Sequence, residues 1–270
     1  MELFEKIYEH LRTNGIELFA PISLESCVIN KKYLLDRVGI EKGTAIVCAV
    51  PYFPRECVEP KNISVYAAVR NYHGFFEKLF GEMKERFSSL YPEHKFAGFA
   101  DHSPIDERDA ALRSGLGILG ENGLIITERY SSFVFLGEFI TDAKTDTKTT
   151  DVKHCIGCGR CRSACPSKEY CLSAITQKKG DLDSVEAELM RKHNTAWGCD
   201  ICQRVCPYTE RAIASGSIFS NIDYFKDSVI PELDTEILNA LDGDSFDERA
   251  FSWRGRNTVL RNLEILEKKS

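Results

Sequence analysis

No apolar run in this sequence approaches the roughly 20 residues needed to cross a bilayer. The longest candidate, Thr44 to Phe53, has the length of a buried strand. The first residues, MELFEKIYEHLR, are charged and helix-patterned and lack the apolar core of a signal peptide. No repeat period recurs. Positive charge is not in excess: the formal net charge is −6, which argues against broad nucleic-acid binding by bulk charge. These absences leave a cytoplasmic globular protein without a membrane partner as the expectation. With 270 residues, 43% hydrophobic and 28% charged, the chain can bury a substantial core in one or two domains.

Cysteine, by contrast, is plentiful, at 11 residues. In a reducing compartment such density points to metal or redox chemistry rather than to disulfides. Charge is also unevenly spread. Lys144 to Lys179 holds eight Lys/Arg against three Asp/Glu, and Arg249 to Arg261 holds four arginines and no acid. Either stretch suits an anionic partner or an ordinary solvated surface.

Leu3 to Leu11 has helical spacing, and Thr44 to Val50 reads as a buried strand ending near Pro51 and Pro54. Ser64 to Leu90 reads as one long amphipathic helix, with Phe75, Phe76, Leu79, Phe80, Met83 and Phe87 on one side. Strands are expected at Phe96 to Ala100, Leu124 to Thr127 and Phe133 to Ile140, and a helix over Ile105 to Ser114. The polar stretch TDAKTDTKTTD, Thr141 to Asp151, marks a boundary. The expected organisation is an α/β (α+β) domain over 1–150, a ferredoxin-like double-cluster domain over 151–215 and a helical segment over 216–270 that packs back on the core. Helical patterns at Glu232 to Leu241 and Asn257 to Lys268 supply the last part.

The spacing Cys155-x2-Cys158-x2-Cys161-x3-Cys165-Pro166 is that of bacterial two-cluster ferredoxins. Three close thiolates wrap three corners of one cubane, and the fourth cysteine reaches the other. Cys199-x2-Cys202-x3-Cys206-Pro207 repeats the last three positions. Pseudo-twofold logic then assigns Cys155, Cys158, Cys161 and Cys206 to one [4Fe–4S] cluster. Cys165, Cys199 and Cys202 go to the other, with Cys171 as its fourth ligand, because it is the remaining cysteine of the segment. Zinc, the rival, favours two separated Cys-x2-Cys pairs and fits less well. Cys48 reads as a buried small hydrophobe.

Gly115, Gly117, Gly120 and Gly123 fall within nine residues, which lets backbone approach a large ligand. The segment follows a helix and leads into a strand, the reverse of a dinucleotide-binding turn, so a phosphate site there is not supported. Asp101 ends a strand, a common place for a working carboxylate. It also suits a helix N-cap ahead of Ser-Pro-Ile-Asp-Glu, and local sequence favours the cap. His73 and His102 belong to no metal-ligand spacing and read as structural.

Taken together, these segments resemble the epoxyqueuosine reductase family, the cobalamin- and iron–sulfur-dependent enzymes of queuosine tRNA modification. The resemblance spans about residues 40–262. It is carried by Tyr66-Ala-Ala-Val-Arg70-Asn-Tyr72-His73, by Asp101-His-Ser-Pro104 with the glycine segment, and by Phe135-Leu-Gly-Glu138. Both cysteine runs carry it too, as do Cys171-Leu-Ser-Ala-Ile-Thr-Gln, Trp197 through Pro207, and Phe251 through Asn262. It implies base-off cobalamin against the sheet and the glycine loop, bound by Gly115, Gly117, Gly120, Gly137, Glu138, Arg254 and Arg256. It implies electrons passed from the nearer cluster to cobalt, and Asp101 as proton donor to the departing epoxide oxygen, its pKa raised by burial. tRNA would be the substrate, and reduced ferredoxin or a flavodoxin-type protein the electron donor. The chain departs from the family at Glu121, where lysine is usual, in the short loop between Cys165 and Cys171, and after Pro207. It resembles a short form without the family's C-terminal helical-repeat domain. The alternatives are a related corrinoid reductase acting on a smaller molecule and a non-catalytic two-cluster electron carrier.

Overall fold

The structure is a computed structural model and describes residues 2–167 and 169–268. The chain divides into two compact units, Met1–Pro51 with Tyr72–Gly157, and Tyr52–Asn71 with Cys158–Ser270.

The first unit contains the strands β1 (Phe19–Ser23), β2 (Thr44–Pro51), β3 (Phe96–Phe99), β4 (Ile118–Leu119), β5 (Ile125–Ile126) and β6 (Val134–Thr141). Four of them form a sheet in the order β1-β2-β6-β3 with every neighbour antiparallel, while β4 and β5 pair as a separate ribbon. An antiparallel sheet covered by helices is the α+β form of the expected class. Every residue of β2 is buried, as its unbroken apolar run requires of a strand covered on both faces.

Register decides which residues meet which layer. Phe139 lies opposite Ile46 and Gly98, and Glu138 lies opposite Val47 and Phe99, so the two side chains point to opposite faces. On the Phe139 face, the rings of Phe80, Phe87 and Phe96 gather around Phe139 with centroids 5.8–6.2 Å away. Phe76 joins the same layer, 5.2 Å from Phe80. Gly137 is required here: a β-carbon on it would come within 2.5 Å of the Phe76 ring. On the other face, Ala110, Ala111 and Leu112 pack with Ala45, Val47, Ile105 and Ile140.

Helices α1 (Glu2–Thr13), α2 (Lys32–Val38), α3 (Val65–Ala68), α4 (Tyr72–Leu90) and α5 (Glu107–Arg113) follow in chain order. The single helix expected over Ser64 to Leu90 is therefore two, α3 in the second unit and α4 in the first. After α3, Val69 turns to extended backbone (φ −93°, ψ 172°). Arg70 then bridges Arg249, and the Asn71 N–H donates to the Glu248 carbonyl at 2.8 Å. These long-range bonds take the amides that a continuous helix would use.

The second unit is helical: α6 (Arg160–Ala164), α7 (Leu172–Thr176), α8 (Ser184–Lys192), α9 (Ile201–Arg204), α10 (Pro207–Ser215), α11 (Asp223–Lys226), α12 (Thr235–Ala240), α13 (Gly243–Asp247) and α14 (Arg256–Glu267). Most are too short to be stable alone. Buried polar ties hold them. The Trp197 indole, fully buried, donates to the Tyr66 hydroxyl at 3.0 Å. Asn262 on α14, also fully buried, donates to the carbonyls of Thr176 and Ala196 at 2.7 and 2.8 Å.

Candidate functional site

β3 delivers Asp101 two residues beyond its end, in a left-handed backbone conformation (φ 60°) that a non-glycine residue seldom adopts. The first turn of α4 brings Tyr72 and His73 to it. The Tyr72 hydroxyl donates to Asp101 Oδ2, and His73 Nε2 lies 3.2 Å from the same oxygen. Tyr72 is itself fixed between His73 and Phe135, each ring stacked at 4.3 Å. His73, expected to be merely structural, is thus a partner of the candidate proton donor. The signal was present in the Tyr72-His73 pair, but spacing alone does not show that β3 ends beside it. His102 faces Tyr33 and Lys31 instead, at 2.8 and 3.2 Å.

Asp101 is not the helix cap that local sequence favours. Asp106 caps α5, accepting from the Asp109 N–H at 3.0 Å. Nor does burial raise the Asp101 carboxyl. The His73 ring holds it below the usual carboxylate range, over the opposing effect of partial burial and with help from Tyr72.

Raised carboxyls lie next to it. Glu138, fully buried on β6, accepts a hydrogen bond from the Ser103 hydroxyl. Burial, with the Glu107 charge next in size, pushes its carboxyl well above the ordinary range. Burial pushes Glu107 up to about 7, and its Oε1 accepts the Asp101 N–H at 3.1 Å. Sequence reading found Glu138 only as a cofactor contact and did not find Glu107.

The glycine segment forms the β4–β5 ribbon. A β-carbon on Gly117 would come within 2.7 Å of Ile125 and Ile126, so this glycine serves the ribbon's own pairing. Gly120 is likewise crowded by Asn122 and Ile126, whereas a β-carbon on Gly115 would meet nothing within 4 Å. Glu121 is exposed at the ribbon's turn. The first cysteine is tied to this ribbon: Leu119 N–H donates to the Lys153 carbonyl at 2.8 Å and Cys155 N–H to the Leu119 carbonyl at 2.9 Å.

Among the cysteines of the second unit, Cys161 lies in α6 and Cys202 in α9, while Cys165 ends α6. Cys171 and Cys206 occupy the N-cap positions of α7 and α10, and Pro207 opens α10. Cys158 and Cys171 are exposed and Cys161, Cys165, Cys199, Cys202 and Cys206 partly so. Among the described residues, no three His, Cys, Asp or Glu side chains converge as a single-ion site. Thiolates around a four-iron cube stand farther apart than ligands around one ion.

Arg254 and Arg256 belong to this unit too. Arg254 lies over the Trp253 ring at 3.7 Å, and Arg256 donates to the Leu241 carbonyl at 2.7 Å. Arg249 and Arg261 likewise donate to backbone carbonyls, of Ser228 at 2.6 Å and of Lys178 at 2.7 Å. Three of the four arginines in this acid-free stretch therefore serve the fold.

Residues 154–209 match the 4Fe-4S dicluster domain. The segment is an iron–sulfur domain. The epoxyqueuosine reductase of Listeria monocytogenes is 31% identical over 211 residues, covering 73% of this chain and 54% of that protein. That of Lactococcus garvieae is 29% identical over 205 residues, covering 72% and 57%. The solved epoxyqueuosine reductase of Streptococcus thermophilus superposes with a TM-score of 0.77 at 25% identity, over 98% of this chain and 81% of that one. The chain is similar in sequence and fold to epoxyqueuosine reductases. It spans a little over half the length of these two curated relatives. An epoxyqueuosine reductase solved with a tRNA-Tyr epoxyqueuosine-modified stem loop shares the fold, with a TM-score of 0.77 at 21% identity over 98% of this chain and 80% of that one. Among the described residues no helix is long and apolar enough to cross a membrane.

Proposed function

We propose that this chain reduces an epoxide of the epoxyqueuosine type in tRNA, with cobalamin and two [4Fe–4S] clusters as cofactors. The observation that carries the proposal is Asp101, held on one oxygen by both Tyr72 and His73 in the unit that also bears the glycine ribbon. The residues present suit cobalamin: Gly115 has open space where a side chain would stand, so backbone can meet a broad ligand. When bound, cobalamin supplies the low-potential electrons that break the carbon–oxygen bond. Conversion of an epoxide to an alkene takes two electrons and two protons and releases the oxygen as water.

The chain's own residues supply a proton and the electron route. Because Asp101 is held ionised by its partners, the acid is the assembly: a proton shared among Asp101, His73 and Tyr72 moves to the departing oxygen, and Asp101 keeps the ring and hydroxyl aimed. The electron route runs through two sets of four thiolates, Cys155, Cys158, Cys161 and Cys206, and Cys165, Cys171, Cys199 and Cys202. Cys155 is hydrogen-bonded to the glycine ribbon through backbone. A ferredoxin or flavodoxin-type donor reloads the clusters.

The test is anaerobic reconstitution with iron, sulfide and cobalamin, followed by assay on an epoxyqueuosine-bearing tRNA stem loop. Two clusters, bound corrinoid and product lighter by one oxygen are expected. Bound corrinoid without conversion would overturn the tRNA substrate, and clusters without corrinoid would leave an electron carrier.

A further inference from the structure

Glu107 and Glu138 are used by none of the steps above, yet both ends of the Asp101 turn terminate on them. The Asp101 N–H donates to Glu107 Oε1 at 3.1 Å. Two residues on, Ser103 donates its hydroxyl to Glu138 Oε1 and accepts the Ile105 N–H at 3.1 Å. Glu138 is fully buried on the α5 face of the sheet, and the Glu107 carboxyl bears on it. With both groups ionised, Glu138 Oε2 meets no N–H or O–H donor. A proton on either carboxyl supplies one.

We propose that Glu107 and Glu138, sharing one proton, form a latch that holds Asp101 in its left-handed conformation and are positioning residues for its proton delivery. Its bearing on turnover rests on the reading of Asp101 given above; the latch itself does not. Other groups set its balance. The Asp101 charge favours keeping the proton on Glu107, and Lys31 opposes this. The Glu138 charge also acts on the thiols of Cys27 and, through the sheet, Cys48, and Asp109 and Arg113 act on Cys27. Loss of the shared proton puts two like charges in contact out of water. Glu107 then swings away, and the Asp101 N–H loses its acceptor. The release follows as pH rises far enough to take the pair's last proton.

The test is amide hydrogen exchange at Asp101 between pH 6 and 9, divided by the intrinsic rate at each pH, on the full chain. In the wild type, protection should hold at pH 6 and fall by up to about tenfold per pH unit once that proton is lost, the slope of a single released proton. Glu107→Gln keeps the acceptor for Asp101 and offers Glu138 a donor without a proton to lose. Its protection should match the wild type at pH 6 and stay flat to pH 9. Glu107→Ala should be unprotected throughout, and the Gln variant decides should the Ala variant not fold. A wild-type profile that is flat, or a Gln variant that follows the wild type's decline, would overturn the latch. Flattening in Glu107→Gln with no turnover of the tRNA by any form would uphold the latch and refute the proposed reaction instead.

Discussion

Asp101 combines a strained backbone, two side-chain partners and a lowered pKa, and only its identity was readable in advance. Its rivals were a helix cap and a proton donor. The structure separates them because Asp106 fills the cap. Asp101→Asn keeps the size and the hydrogen bonds but cannot carry the proton. Turnover of the tRNA substrate should fall about 10²–10⁴-fold while iron content and corrinoid binding are unchanged. Unchanged turnover would remove Asp101 from the chemistry. The same substitution carries a pH signature. The folded state holds Asp101 below the ordinary carboxylate value, so the ionised group stabilises the fold above that value. That contribution is lost as pH falls through the depressed value. The stability difference between wild type and Asp101→Asn should therefore be present at neutral pH and close below about pH 4, measured by denaturant titration across pH.

Strands with unbroken apolar runs and the long ring-bearing face of α4 were legible because burial imposes a period on sequence. β2 falls within a residue of its expected span, as does the α14 helix. The break between α3 and α4 was not legible, since Val69, Arg70 and Asn71 are all compatible with a helix locally. The Arg70 guanidinium and the Asn71 amide are claimed by Glu248, far along the chain. The glycines invite a similar misreading. Gly137 was read as a cofactor contact, yet Phe76 occupies the place of its missing side chain. Gly137→Ala should destabilise the protein by about 1–3 kcal/mol through overpacking, measured by chemical denaturation. Pairing it with Phe76→Leu should recover part of that loss. Destabilisation that Phe76→Leu does not relieve would mean the glycine is needed for something other than this ring.

Across the whole chain, the polar stretch from Thr141 to Asp151 was read as a boundary, whereas the units part after Gly157 and near residues 51 and 72, where no polar run marks the crossing. Residues 52–71 join the second unit through buried pairings, such as Asn62 donating to the Leu233 carbonyl at 2.6 Å, which no local pattern announces. The cysteine spacing was the most legible feature, because a cubane fixes the distance between ligands and so writes itself into the chain. Cys171 is the exception, since it sits outside the repeating spacing and was assigned as the remaining cysteine of its segment. Its exposure at the N-cap of α7 leaves the thiolate available to iron. Cys27 provides the contrast. Its thiol donates to the Ser23 carbonyl at 3.4 Å, and burial pushes it up to about 12, so it stays protonated. Reconstituted Cys171→Ala should therefore bind fewer than the roughly eight irons of two complete clusters, approaching about four where the incomplete cluster is lost. Cys27→Ala should bind the full complement. Equal iron in the two variants would return the eighth ligand to a residue other than Cys171, and with it the assignment of the second cluster.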